Sequence, residues 1–262
     1  MSKKALCVGI NKYPYENMDL KGCVNDATAW AELFINHFDF PRIDVKLIFD
    51  SETTKKNIII ELKNLLAGAK AGDVLVFTNS SHGSYIKDTS GDERIYDQVI
   101  CPFDVEDNVI VDDELREMFV AIPAGVNFTV ISDSCHSGTI TRIITPDYRR
   151  KRFLNPKLRG QPELRDPLRA KPRRREKYPE SEMKELLIAG CKDNQFSYDA
   201  QMQGIFHGAM SFFALQEIRS ANYNITYADL VKRVVKQLDK ASFSQQPQLE
   251  GKDENKGKQI FT

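Results

Sequence analysis

The chain has 262 residues, 41% of them apolar and 28% charged, enough for one large domain or two small ones with a proper core. Lysine plus arginine and aspartate plus glutamate both number 37, so the overall charge points to neither a nucleic-acid nor a membrane partner. No apolar run approaches the roughly 18 residues that a membrane span needs. The five cysteines, at 7, 23, 101, 135 and 191, show no CxxC spacing, and the start is too short in apolar residues for a signal peptide; the expectation is a reducing, cytoplasmic setting.

Residues 4–10 read as a buried first strand, followed by a turn-rich loop at 11–17. Residues 20–27 lead into a helix carrying Trp30, Leu33, Phe34 and Phe38 near helical spacing. A second strand spans 45–49, and Thr53-Thr54 caps a helix with Ile58, Ile59, Leu62, Leu65 and Leu66. The third strand, 73–79, ends in Ser80-Ser81-His82-Gly83; residues 83–96 read as a surface loop and 98–103 as a short strand or hairpin arm. Asp112, Asp113 and Glu114 open a helix at its positive end. The fourth strand begins at Asn127 and runs into Ser132-Asp133-Ser134-Cys135-His136-Ser137-Gly138.

From 142 to 182 the composition changes to basic and proline-bearing, with Arg149-Arg150-Lys151-Arg152 and Arg173-Arg174-Arg175; it reads as an exposed linker. A fifth buried strand follows at 185–191, then a helix at 209–219, a helix capped by Thr226, and a last edge strand near 246–251. Alternation of strand and helix argues for a mostly parallel sheet covered on both faces.

Two apolar strands thus end in small polar residues, one around Cys135 and one around His82. Carboxyl ends of strands are where open α/β sheets carry ligands, and a cysteine facing a histidine is the minimum apparatus for thiolate catalysis. His37, His136 and His207 read as structural or turn residues, and Cys7, Cys101 and Cys191 as core. There is no four-ligand zinc spacing and no Walker-type glycine loop.

Six motifs in order cover nearly all of the chain outside the basic segment: Val8-Gly9-Ile10-Asn11-Lys12-Tyr13, residues 20–27, residues 80–83, residues 133–138, residues 188–195 and residues 246–249. With them the chain resembles the metacaspases and their bacterial relatives, the orthocaspases, among the caspase-like cysteine peptidases. The resemblance implies a single caspase-like three-layer α/β/α sandwich over 1–262. Residues 1–141 would correspond to the large-subunit region, 142–182 to the linker and 183–262 to the small-subunit region. It implies Cys135 as nucleophile, His82 as general acid/base, and the N–H groups of Cys135 and Gly83 as an oxyanion hole, with no third orienting residue evident.

The same resemblance puts Cys23, Asp26, Ser80 and Asp133 in the pocket for the residue before the cut. Two carboxylates there call for a cation, so cleavage is expected after Arg or Lys in protein or peptide substrates. Asp97, Asp112 and Asp113 match part of a family calcium site; Arg142, near the place of a further aspartate, opposes one, so calcium activation stays open and the chemistry itself requires no cofactor. Ser81 replaces the usual glycine before the histidine. Self-processing within 142–177 is expected of an enzyme that prefers basic residues, and the expected state is a monomer. The other classes considered are a non-proteolytic caspase-like interaction module and a flavodoxin-like nucleotide binder, the latter without a glycine-rich phosphate loop.

Overall fold

A computed structural model describes residues 1–87, 96–106, 108–135, 149–154, 180–192 and 195–262, with the side chains of Lys87 and Tyr96 left aside. Six strands form the central sheet: β1 (Lys3–Gly9), β2 (Val45–Phe49), β3 (Val74–Ser80), β7 (Asn127–Asp133), β9 (Glu185–Ala189) and β12 (Gln248–Glu250). Their order is β12-β9-β7-β3-β1-β2. All neighbours are parallel except β12, which runs antiparallel to β9 at one edge.

The period of two along each strand divides the core into two halves. Ala5 and Cys7 of β1, Val74 and Val76 of β3, and Ile131 of β7 face one side. There they meet α1 (Cys23–His37), α4 (Ala209–Ser220) and α5 (Tyr227–Lys240), with Trp30, Phe34, Met210 and Leu230 at the contact. Leu6, Val8, Leu75, Phe77 and Val130 face the other side, against α2 (Lys55–Leu66) and α3 (Asp112–Val120). The result is the expected α/β/α sandwich. Thr54 and Thr226 cap α2 and α5 through the N–H groups of Asn57 and Asp229. A one-turn helix, α6 (Asp253–Lys256), follows the last strand.

Two antiparallel three-stranded sheets sit outside this frame, and both correct the sequence reading. One joins β4 (Gly83–Lys87), β5 (Tyr96–Ile100) and β6 (Ile110–Val111). Residues 83–87 are therefore a strand rather than surface loop; their mix of small, aromatic and charged residues gave no clean alternation, while 88–95 lie outside the described residues. The other sheet joins β8 (Arg149–Lys151), β10 (Tyr198–Met202) and β11 (Ile205–Gly208). Here the reading of 142–182 as exposed linker fails for 149–154: Arg152 and Leu154 are buried, Arg152 completely. Residues 142–148 and 155–179 lie outside the described residues.

Candidate active site

In the parallel ladder between β3 and β7, Ser80 pairs with Asp133. His82 and Cys135 each lie two residues further, so the register carries both past the sheet edge at the same level. The backbones then touch: a Cβ on Gly83 would overlap the carbonyl oxygen of Cys135, which reserves that position for glycine.

His82 is held by its ring and by its backbone. Its Nε2 lies 2.7 Å from the carbonyl oxygen of Met18. A carbonyl only accepts, so the proton of the neutral ring is on Nε2 and the lone pair is on Nδ1. Nδ1 is buried without a hydrogen-bond partner. The backbone N–H of His82 donates to the Tyr13 hydroxyl at 3.1 Å, which donates to the carbonyl of Cys101 at 3.0 Å. Burial lowers the His82 pKa to about 4, with the charges of Arg150 and Arg152 adding to it and the Met18 carbonyl opposing it. Met18 thus orients the ring through its backbone, for which no side-chain signature exists in sequence.

Cys135 is fully buried, its Sγ accepting the N–H of Ser197 at 2.8 Å and lying 3.1 Å from the Ser197 carbonyl. Burial, and then Cys191, push its thiol well above the ordinary range, against the pull of the Ser197 N–H. Thiol and imidazole are both neutral in this state.

The acidic pocket is present, with one member more than expected, and the chain itself fills it. Asp26 in the first turn of α1, Asp133 at the end of β7 and Asp199 on β10 are all buried. Each is anchored by the backbone. Asp26 accepts the N–H of Gly208 and lies 3.0 Å from His207 Nδ1, so His207 belongs to the pocket. Asp133 accepts the N–H of Ser211 at 2.9 Å and the hydroxyl of Ser197. Asp199 accepts the N–H groups of Lys21 and Gly22 at the start of α1, beside Asn11, whose Oδ1 accepts the N–H groups of Cys23 and Val24.

Between them sits the guanidinium of Arg152. Its Nη2 lies 2.6 Å from Asp26 and 3.1 Å from Asp199; its Nη1 donates to the Asp133 carbonyl at 3.0 Å and lies 3.5 Å from the Asp133 carboxylate. Burial works against that charge, but Cys23 and the three acids more than offset it and raise its pKa well above the usual range. Burial likewise raises the pKa of Asp26, with Arg152 and His207 opposing. Cys23 is buried beside the guanidinium, and Ser80 closes β3 opposite Asp133.

The backbone of Arg152 is as informative as its side chain. Its carbonyl oxygen accepts the N–H of Gly83 at 2.9 Å and the N–H of Cys135 at 3.2 Å. Its own N–H donates to the Ser197 carbonyl at 2.9 Å, and Leu154 N–H donates to the Gly83 carbonyl at 2.9 Å. Upstream, β8 pairs antiparallel with β10, Lys151 opposite Tyr198 and Arg149 opposite Ala200. Residues 149–154 therefore lie along the cleft as an added strand, with the Arg152 carbonyl on two converging N–H groups beside the thiol. That is the geometry that stabilises the oxyanion of an acyl-transfer intermediate.

Gln245 locks the cleft wall, accepting the N–H of Tyr198 at 3.1 Å and donating to the Gly190 carbonyl at 3.0 Å. Sequence reasoning missed Arg152, Asp199, Ser197 and Gln245. Asp97 on β5 is buried and Asp112 and Asp113 open α3, but no three metal-ligating side chains gather among the described residues.

The fold and this cysteine–histidine edge define a caspase-like protein. Superposition gives the same class: caspase-1 of Spodoptera frugiperda matches with a TM-score of 0.57 at 13% identity, over 95% of this chain and 86% of that one, a likeness of fold alone. The protein GSU0716 of Geobacter sulfurreducens matches at a TM-score of 0.76 and 25% identity, over 100% of this chain and 99% of that one. The model of the metacaspase, peptidase C14 domain matches residues 3–144, and the chain belongs to the metacaspase family of cysteine peptidases. Metacaspase-1 of Arabidopsis thaliana is 35% identical over 241 residues, covering 87% of this chain; the chain spans 62% of that relative's length.

Proposed function

We propose that the protein is a cysteine endopeptidase that cuts after arginine, and that its first substrate is its own Arg152–Phe153 bond. One observation carries this reading: Arg152 has its guanidinium on three buried acids while its carbonyl oxygen accepts from Gly83 N–H and Cys135 N–H.

The chemistry follows from the neutral pair. His82 Nδ1 takes the thiol proton as Cys135 Sγ attacks the Arg152 carbonyl carbon, and the negative charge develops on the oxygen held by the two N–H groups. Collapse breaks the bond to the Phe153 nitrogen, which takes the proton back from Nδ1. Water, deprotonated by Nδ1, then attacks the thioester, freeing the Arg152 carboxylate and returning the proton to sulfur. The carbonyl of Met18 keeps Nδ1 facing the reaction throughout. A fork reaching Asp26, Asp133 and Asp199 together suits arginine better than lysine, whose ammonium is a single point.

The test is hydrolysis of fluorogenic peptides ending in Arg, Lys and Asp by wild type and Cys135→Ala, with gel analysis and amino-terminal sequencing of the chains. The expected result is turnover in the order Arg, Lys, Asp, and a fragment beginning at Phe153, both lost in the variant. Fragments identical in Cys135→Ala would exclude self-processing, and turnover after Asp would overturn the pocket assignment.

A further inference from the structure

The strand that carries Arg152 touches the cleft at more than one position, and the position three residues upstream is the most fully built. Arg149 lies with its guanidinium carbon 3.9 Å from the centre of the Phe243 ring. Its Nη1 donates to the carbonyl of Ser242 at 2.8 Å and its Nη2 to the carbonyl of Ala241 at 3.0 Å. Those two carbonyls follow directly on α5, a helix of 14 residues whose negative end they mark. An aromatic face and two aligned acceptors at a helix carboxyl terminus are two separate attractions for a planar cation. Phe243 is buried against Tyr198 and Phe213, so the platform is fixed by the core rather than by Arg149.

Resting on the endopeptidase reading above, we propose that this platform is an arginine-selective subsite for the fourth residue before the cut. The preferred substrates are then segments of the form Arg-X-X-Arg, of which 149–152 is the internal example. At the intermediate positions Lys151 lies over the Phe196 ring at 4.0 Å, and Arg150 donates to the carbonyl of Asn17. Side chains three apart on an extended strand point to opposite faces, and each of the two arginines finds its own acceptor set, acids for Arg152 and carbonyls for Arg149. The subsites are therefore chemically distinct: the first pocket selects a cation by charge, the fourth by stacking and by a neutral fork of acceptors.

Two measurements decide the proposal. In the full Cys135→Ala chain, amide hydrogen exchange at Gly83 and Arg152 reports how firmly the strand is seated. Arg149→Ala is expected to speed exchange at both by about tenfold, and Arg150→Ala by a smaller factor. Equal exchange in Arg149→Ala and its parent would overturn the subsite, whether or not the enzyme cuts anything. In the active chain, kcat/KM for a peptide with Arg at the fourth position should exceed that for its Ala counterpart by about tenfold. Phe243→Leu should bring that ratio toward one, both peptides being measured in the same variant so that any general loss of activity cancels. Equal rates on the two peptides by wild type would overturn the selectivity and leave the peptidase reading intact. Faster exchange in Arg149→Ala together with no cutting of either peptide would sustain the subsite and sink the peptidase reading instead.

Discussion

Replacing Arg152 by alanine removes the guanidinium that Asp26, Asp133 and Asp199 surround. A hydrogen bond to a charged group contributes about 1.5–3 kcal/mol, and removing one partner of a buried ion pair costs about 3–5 kcal/mol. The contacts share a single guanidinium, so they do not add, and water entering the emptied pocket returns part of the loss. A seating loss of about 4 kcal/mol is the resulting figure for the segment. At about 1.4 kcal/mol per factor of ten, the seated population, and with it the rate of cutting after residue 152, falls about a thousandfold. Arg152→Lys keeps the charge but cannot span the acids, which are 2.6, 3.1 and 3.5 Å from two different nitrogens; about 2 kcal/mol is lost, or about thirtyfold in rate. The assay is a time course of the purified chains on gels, with the new amino terminus sequenced. A fragment beginning at Phe153, formed from Arg152→Ala at the wild-type rate, would refute the claim that the acids choose the bond.

Gly208→Ala should obstruct the pocket without touching the cysteine or histidine, because its Cβ would overlap the Asp133 carboxylate and Arg152 Nη1; processing should slow at least tenfold, read on the same gels. Tyr13→Phe should remove the acceptor of the His82 N–H, lowering thermal stability by about 1–3 kcal/mol and the turnover of Arg peptides, checked by melting and kinetics. The His82 pKa lies near 4 in the fold against 6.5 in the unfolded chain, so between those values the unfolded state binds the extra proton. Stability tied to this group is present above pH 6.5 and is lost as pH falls to 4, by about 3 kcal/mol. His82→Gln should flatten the melting-temperature profile in that window by the corresponding amount, and an unchanged slope would refute the assignment.

The sheet was legible because buried parallel strands advertise themselves: 4–10, 73–79, 127–133 and 185–191 are short apolar runs, and the second and third lead into small polar residues. Cys135 and His82 were legible for the same reason. Arg152 was not, because four consecutive basic residues read as a solvated face, and the acids that bury one of them come from positions 26, 133 and 199. Only the tertiary fold brings them together. A local sign of Asp199 did exist. Tyr198 and Ala200 alternate around it as core residues, the period-two pattern of a strand that turns its intervening side chain the other way. The stretch is too short and too polar for that pattern to stand out.

Because β8 is part of the same chain as the cysteine it covers, any free substrate competes with a tethered one. Only 13 residues, 136–148, join Cys135 to Arg149. On the proposed reading, cutting after Arg152 would remove none of the ladder between β8 and β10 and would leave the guanidinium on its acids, so the new carboxyl terminus would remain as a captive product. Severing the bond and opening the enzyme to other proteins are then two events on two clocks. The first is set by chemistry within one molecule and is indifferent to dilution; the second waits until the spent strand is drawn out or trimmed away.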